Sequence, residues 1–137
     1  MNNQQAYQKY RHTQISTANP GKLVLMLYQG GIKFLNLAKK SIQDNNIEDT
    51  NNYIVRVQNI VLELMDTLDM DKGGQISQNL YNLYEYMNHR LVQANIKKDV
   101  EIIEEVSELL KDLKDTWKEI LDSNAQQSNQ TNISIEG

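Results

Sequence analysis

The sequence has no cysteine, one proline and six glycines among its 137 residues. The lack of cysteine excludes disulfides, thiolate metal sites and cysteine nucleophiles. Because proline and glycine are scarce, long stretches run without a helix-breaking residue, which favours long helices over a turn-rich sheet. No stretch approaches the roughly 18 consecutive apolar residues of a membrane-spanning helix. The first residues also lack the basic and apolar segments of a signal peptide, so we expect a cytoplasmic protein.

The charged residues do not point to nucleic acid as a partner. The formal net charge is −4 and the isoelectric point is about 5.1. Phosphate contacts that release counterions need clustered lysine and arginine, whereas the 14 basic residues here are scattered along the chain. We therefore expect a protein partner and no nucleic acid.

Four segments repeat apolar residues at three- and four-residue steps, which is typical of amphipathic helices. The first is predicted to begin at Asn19-Pro20, because asparagine is a favoured N-cap and proline is favoured at the first helical position. It ends near residue 44, and the next two helices are predicted over about 48–69 and 75–95. The fourth follows a cap at Asp99. The core stripe of the third helix is predicted to begin at Ile76, and that of the fourth to include Trp117 and Ile120.

These segments predict an all-α fold. Each helix has about 20 residues or more, and the connections between them are short, so sequential helices become antiparallel neighbours. The predicted architecture is an antiparallel up-down-up-down four-helix bundle over residues 19–121. Residues 1–18 form a mostly extended N-terminal arm. Residues 122–137 are rich in Ser, Asn, Gln and Thr and are predicted to be a disordered tail.

Three of the helices carry apolar residues outside their core stripes. Each has a pair of them, which we expect to line a groove for a helical partner. The candidate groove residues are Leu25 and Ile32 in the first helix, Val55 and Leu62 in the second, and Tyr81 and Val92 in the third. Two alternatives stay open, since single exposed apolar residues are common and a wide stripe can face two neighbours in a bundle.

Sites for metal, cofactor or catalysis are not predicted. Residues 69–76 resemble the front of a calcium-binding EF-hand loop, but Leu80 stands where a bidentate Glu is required. The stretch is better explained as a turn that needs glycine at positive φ. A di-metal centre needs two Glu-x-x-His pairs, whereas the chain has only His12 and His89. We assign no catalytic residue, no cofactor and no small-molecule substrate.

Several motifs occur in a fixed order over about residues 6–121: Ala6-Tyr7, Thr17 to Leu23, Met26 to Gly30, Gln58 to Ile60, Leu68-Asp69, Lys72 to Ile76, Asn79 to Met87, Arg90 to Ile96, Asp99, Glu104 to Val106 and Trp117-Lys118. In order and in spacing, these stretches resemble the FliS family of flagellin export chaperones.

The resemblance implies a cytoplasmic four-helix bundle that binds the disordered C-terminal segment of flagellin. Masking that segment prevents premature polymerisation and keeps the subunit competent for export. The resemblance also implies delivery to the export-gate protein FlhA of the type III flagellar system, with Tyr7 of the arm as the contact. Some relatives carry an apolar residue where this chain has Gln4, and Tyr10 is the candidate to compensate.

The arm is predicted to plug the groove until cargo displaces it, with Tyr7, Tyr10 and Ile15 as apolar anchors. The alternative is that Ile15 packs permanently against the first helix. Two other functions compete with the chaperone: a helical adaptor that forms a weak homodimer through the same residues, and an enzyme built in the bundle core. The adaptor predicts concentration-dependent dimers. The enzyme needs a buried polar constellation, which the sequence does not supply.

Overall fold

The computed structural model describes the backbone of residues 19–136 and the side chains as far as residue 125. It consists of four helices: α1 (Pro20–Gln43), α2 (Ile47–Asp66), α3 (Gly74–Lys97) and α4 (Val100–Glu136). Each helix packs against the next, and α1 packs against α4, so the four form a closed ring. The predicted four-helix bundle is confirmed. The arm residues Tyr7, Tyr10 and Ile15 lie outside the described residues.

Contacts between helices show that neighbours run antiparallel. The indole of Trp117, far along α4, donates a hydrogen bond to Gly21 at the start of α1. At the opposite end of the same pair, Lys39 lies 2.7 Å from Glu104. The ammonium of Lys98, which follows α3, donates to the Asn51 side chain near the start of α2. The order of the ring and these contacts together give the up-down-up-down arrangement.

Short polar side chains define where three of the four helices begin. The Asn19 side chain accepts a 2.8 Å hydrogen bond from the Gly21 backbone N–H, and a proline follows it, as the sequence predicts. Asn46 caps α2 by accepting from the Asp49 N–H at 3.1 Å. Asp99 accepts from the Glu101 N–H at 2.9 Å just before α4. Each cap satisfies one of the N–H groups that a helix start leaves without an intrahelical acceptor.

The loop between α2 and α3 is built by Asp69 and two glycines. The Asp69 carboxylate accepts hydrogen bonds from the backbone N–H groups of Asp71 and Lys72 at 3.2 and 3.0 Å. Gly74 has φ +55°, the left-handed region that glycine tolerates best. A Cβ on Gly73 would lie 2.8 Å from the Asp69 carbonyl oxygen. The predicted glycine turn is therefore what the stretch forms.

The core consists of one buried stripe from each helix. Its members are Leu27, Tyr28, Leu35, Ala38, Ile54, Val57, Val61, Leu64, Tyr84, Met87, Leu91, Ala94, Ile102, Ile103, Val106 and Leu110.

Three predicted core positions differ from the structure. Ile76 is exposed, because it lies in the first turn of α3 beside the loop. Ile120 is exposed because the next residue, Leu121, takes the place beside Gly21, and a neighbour in a helix points about 100° away. Trp117 is half-buried and packs at the edge of the core.

The last helix also runs further than the predicted domain. Its backbone is helical to Glu136, whereas the predicted bundle ends at residue 121. No proline or glycine interrupts residues 122–136, so nothing in the sequence breaks the helix there. The domain limits and the disorder of this segment in solution stay predictions.

Candidate protein-docking surfaces

A groove of about 320 Å³ separates α2 from α3 on the outside of the ring. It is lined by Asn51 and Gln58 of α2 and by Val92, Asn95 and Ile96 of α3. We call this face the α2–α3 surface. Residues three and four apart share one face of a helix, so Val55, between Asn51 and Gln58, belongs to it. Leu62, four residues after Gln58, extends the same face.

The apolar side chains of this surface are open to solvent. The exposed fractions are 46% for Val55, 51% for Leu62, 45% for Val92 and 78% for Ile96. Tyr81 lies eleven residues before Val92, a whole number of turns away on the same side of α3, and is half-buried. Four predicted residues, Val55, Leu62, Tyr81 and Val92, are thus placed on adjacent helices of one surface. Their role in binding stays a prediction.

Amide side chains alternate with these apolar ones. Asn51 and Gln58 are seven residues apart on α2, and Asn88 and Asn95 are seven apart on α3. The Lys98 ammonium holds one end of the surface, since it donates to the Asn95 side chain at 2.6 Å and also to Asn51. The Asn88 side-chain oxygen is buried and has no hydrogen-bond partner. The α2–α3 surface therefore carries exposed apolar side chains and, beside them, polar side chains that link the end of α3 to the start of α2.

The other predicted pair, Leu25 and Ile32, lies elsewhere. Ile32 borders a groove of about 530 Å³ between α1 and α4, on the opposite side of the ring. Leu25 is seven residues before Ile32 and shares that side of α1; both side chains are half-buried. Leu25 and Ile32 therefore do not border the same groove as the other four predicted residues, and their part in cargo binding stays a prediction. Periodicity reveals that a helix has a second apolar stripe, but the order of helices around the ring decides which neighbour that stripe faces.

A third cavity, of about 680 Å³, opens at the end of the bundle where α1 begins. Leu23 and Val24 of α1, Thr67 after α2, and Trp117 and Leu121 of α4 are among the residues that line it. Asn19 also borders it, so the arm joins the bundle at this cavity. We call it the end pocket.

Trp117 closes one wall of the end pocket. Its indole N–H donates a 2.8 Å hydrogen bond to the carbonyl oxygen of Gly21. We expect Trp117→Phe to lower the free energy of unfolding by about 1 kcal/mol, because the mutation removes this bond and keeps most of the ring contact. Trp117→Ala should cost less than the roughly 3–5 kcal/mol typical of a fully buried aromatic residue. Urea unfolding followed by circular dichroism measures both, since the chain has no second tryptophan to report by fluorescence.

On the face between α3 and α4, Glu105 of α4 accepts hydrogen bonds from two side chains of α3. Arg90 donates to Glu105 at 2.7 Å, and the Tyr86 hydroxyl donates to the other oxygen of that carboxylate at 3.0 Å. The hydrogen bond from Arg90 holds the pKa of Glu105 below its usual value, and the bond to Glu105 raises the pKa of Tyr86. These charges are satisfied within the protein, which makes this face a weaker candidate for docking.

Among the described residues, no group of three or more acidic or histidine side chains is arranged to hold a metal ion. The Asp69 carboxylate of the EF-hand-like stretch is already engaged by backbone N–H groups. Within the same part of the chain, no helix combines the length and apolar character needed to cross a membrane.

Two features of these surfaces were missed from the sequence. Of the large apolar side chains that the structure describes, Ile96 has the largest exposed fraction, and it lines the α2–α3 groove. Its position four residues after Val92 could have predicted this, because that spacing places the two side chains on one helix face. The asparagine and glutamine side chains of the same groove were not predictable as part of a docking surface, because polar residues are common on the outside of helices.

The fold and its surfaces define an all-helical bundle protein with exposed apolar side chains along adjacent helices. The chain matches the family model described as flagellar protein FliS over residues 2–124. It belongs to the FliS family, a family of flagellar secretion chaperones.

Individual relatives cover most of the chain. The flagellar secretion chaperone FliS of Bacillus subtilis is 39% identical, over 88% of this chain and 89% of that protein. The one from Vibrio cholerae is 35% identical, over 85% and 86%. A crystal structure described as a flagellar chaperone from bacteria superposes with a TM-score of 0.72 at 22% identity, over 88% of this chain and 98% of that one, which supports the fold.

Proposed function

We propose that this protein binds the disordered C-terminal segment of flagellin in the cytoplasm, prevents its premature polymerisation and delivers it to the export-gate protein FlhA. Membership of a flagellar secretion chaperone family supports a protein cargo from the flagellum. The observation that carries the proposal is the α2–α3 surface, where exposed apolar side chains from two adjacent helices flank one groove.

The spacing of the apolar anchors suits a helical cargo. Val55 and Leu62 are seven residues apart, which is about 10.5 Å along α2 at 1.5 Å per residue. A partner helix laid along the groove offers side chains at the same repeat. The amides beside these anchors supply hydrogen bonds to polar groups of the cargo, so the cargo orders on the surface as it binds.

Calorimetry with the C-terminal segment of flagellin from the same organism tests the proposal. We expect one-to-one binding with a negative heat-capacity change and a gain in helix by circular dichroism, because a disordered cargo folds as it buries apolar surface. The absence of binding at tens of micromolar together with concentration-dependent dimers in sedimentation would favour the self-pairing adaptor instead.

We further propose that the arm covers part of the docking surface before cargo binds. Ile15 is four residues before Asn19, so it reaches no further than about 14 Å from the end pocket. The nearest part of the α2–α3 groove is at Gln58, about 12 Å along α2 from Asp66 at the end pocket. The end pocket is closest to the start of the arm and is the proposed binding place for Ile15, whereas Tyr7, twelve residues before Asn19, can reach about 40 Å and cross the α2–α3 surface.

Hydrogen exchange of the arm is expected to change when cargo binds. Amides of residues 7–15 should be partly protected in the free protein and should exchange faster with the flagellin segment bound, because the cargo displaces the arm. Ile15→Ser should show fast exchange in both states. Unchanged protection on addition of cargo would mean that Ile15 packs permanently against α1. The freed Tyr7 is the proposed contact with FlhA.

A further inference from the structure

The groove between α1 and α4 differs in charge from the α2–α3 groove. Its apolar part is formed by the half-buried Ile32 and Leu37. Lysines surround that part: Lys33 and Lys40 of α1, with Lys114 of α4 facing them. The α2–α3 groove, by contrast, is lined by amides and aliphatic side chains alone.

The positive charge of this groove runs against the charge of the whole chain. The protein has a net charge of −4, yet no acidic residue is among those that line the groove. Of the nearby carboxylates of α4, Glu104 lies 2.7 Å from Lys39, which is outside the groove lining, and Asp115 lies 3.8 Å from Lys114 and offsets part of its charge. Lys33 and Lys40 of α1 therefore carry most of the positive charge of the groove, and an anionic partner complements it while it covers the apolar side chains.

We propose that the α1–α4 groove docks an acidic amphipathic helix of a second protein. Lys33 and Lys40 are seven residues apart, about 10.5 Å along α1. A partner helix with two carboxylates at the same repeat pairs with them, and its apolar residues beside the carboxylates contact Ile32 and Leu37, which lie on either side of the lysine row on α1. These apolar side chains favour such a helix over nucleic acid, which offers phosphates without an apolar stripe.

This docking is independent of the proposed flagellin binding. In the ring of helices, the α1–α4 side is opposite the α2–α3 side, so both can be occupied at once. The protein then binds a helical cargo at the α2–α3 surface and a second, acidic partner at the α1–α4 groove. The partner is defined by its chemistry: carboxylates at a seven-residue repeat that flank an apolar stripe.

A pair of synthetic helical peptides tests the proposal with the full chain. Both have about 20 residues and the same leucine stripe; one carries glutamate beside the stripe and the other lysine. Fluorescence polarisation should detect binding of the glutamate peptide alone, weakened by added salt. Lys33→Glu/Lys40→Glu should reduce its affinity at least tenfold. The matched reversal Lys72→Glu/Lys97→Glu, also of two exposed lysines, should change it less than twofold.

Methyl NMR locates the binding. The glutamate peptide should shift the signals of Ile32 and Leu37 and leave those of Val55 and Val92 unchanged. Binding of the flagellin segment should be equal in wild type and in Lys33→Glu/Lys40→Glu, which also shows that the variant folds. Equal binding of the two peptides, displacement of the glutamate peptide by the flagellin segment, or preferential binding of single-stranded nucleic acid would each overturn the proposal.

Discussion

Leu62→Asp is expected to weaken binding of the flagellin C-terminal segment at least thirtyfold. Leu62 lies in the last third of α2 on the α2–α3 surface, and half of its side chain is exposed. A carboxylate at this point loses the apolar contact and must be desolvated beneath the cargo helix. Loss of an interface anchor can cost about 2 kcal/mol or more, which corresponds to about thirtyfold in Kd. Calorimetry at constant salt measures the change.

Met26→Asp is the matched control. Met26 is 52% exposed, against 51% for Leu62, but it lies on α1 and away from the α2–α3 surface. The two variants add the same charge to equally exposed apolar positions, so any difference between them reports location. We expect the control to change Kd less than twofold. If both variants bind cargo as the wild type does, the cargo surface lies elsewhere, and an equal loss in both would indicate a general charge effect.

Local structure was largely predictable from the sequence. The start of α1 depends on two adjacent residues, Asn19 and Pro20, and the fold uses them as predicted. The apolar stripes gave the helices and most of the core, since a stripe at helical spacing must be covered by a neighbour. Ile120 shows the limit: it continues the stripe of α4, but the next residue, Leu121, takes the place beside Gly21 at the start of α1, and Ile120 is left exposed.

The surfaces depend on which helices are neighbours, and this was not predictable from periodicity. Leu25 and Ile32 form a second stripe like Val55 and Leu62, yet the ring of helices turns the two pairs to opposite sides. The clustering of charge was also not predictable from the sequence. Lys40 and Lys114 are far apart in the chain, but the antiparallel packing of α1 and α4 places them around one groove.

A buried hydrogen bond between two tyrosines is another feature that the sequence did not reveal. Tyr28 of α1 and Tyr84 of α3 lie 56 residues apart, and their hydroxyl oxygens are 2.6 Å from each other across the core. Both side chains are almost fully buried, and each hydroxyl is the partner of the other. The bond joins two helices that face each other diagonally in the ring, so it fixes their relative position.

Tyr28→Phe and Tyr84→Phe are each expected to lower the free energy of unfolding by about 1–3 kcal/mol, since each leaves one buried hydroxyl without a partner. The double variant should cost less than the sum of the single ones, because it removes both hydroxyls together. Urea unfolding followed by circular dichroism gives the three values. Tyr53→Phe, a half-buried tyrosine of α2, is the control, and strict additivity of the two single variants would contradict the coupling.

The same pair should control stability at alkaline pH. Burial raises the pKa of Tyr28 above the ordinary 10.0, and it raises the pKa of Tyr84 further. A folded-state pKa above the unfolded one gives stability that is complete below the unfolded pKa and is lost as pH rises past it. Wild-type stability should therefore fall steeply above about pH 10, and the double phenylalanine variant should fall less over the same range. If the free energy of unfolding falls equally with pH in the two proteins, ionisation of Tyr28 and Tyr84 is not the cause of unfolding at alkaline pH.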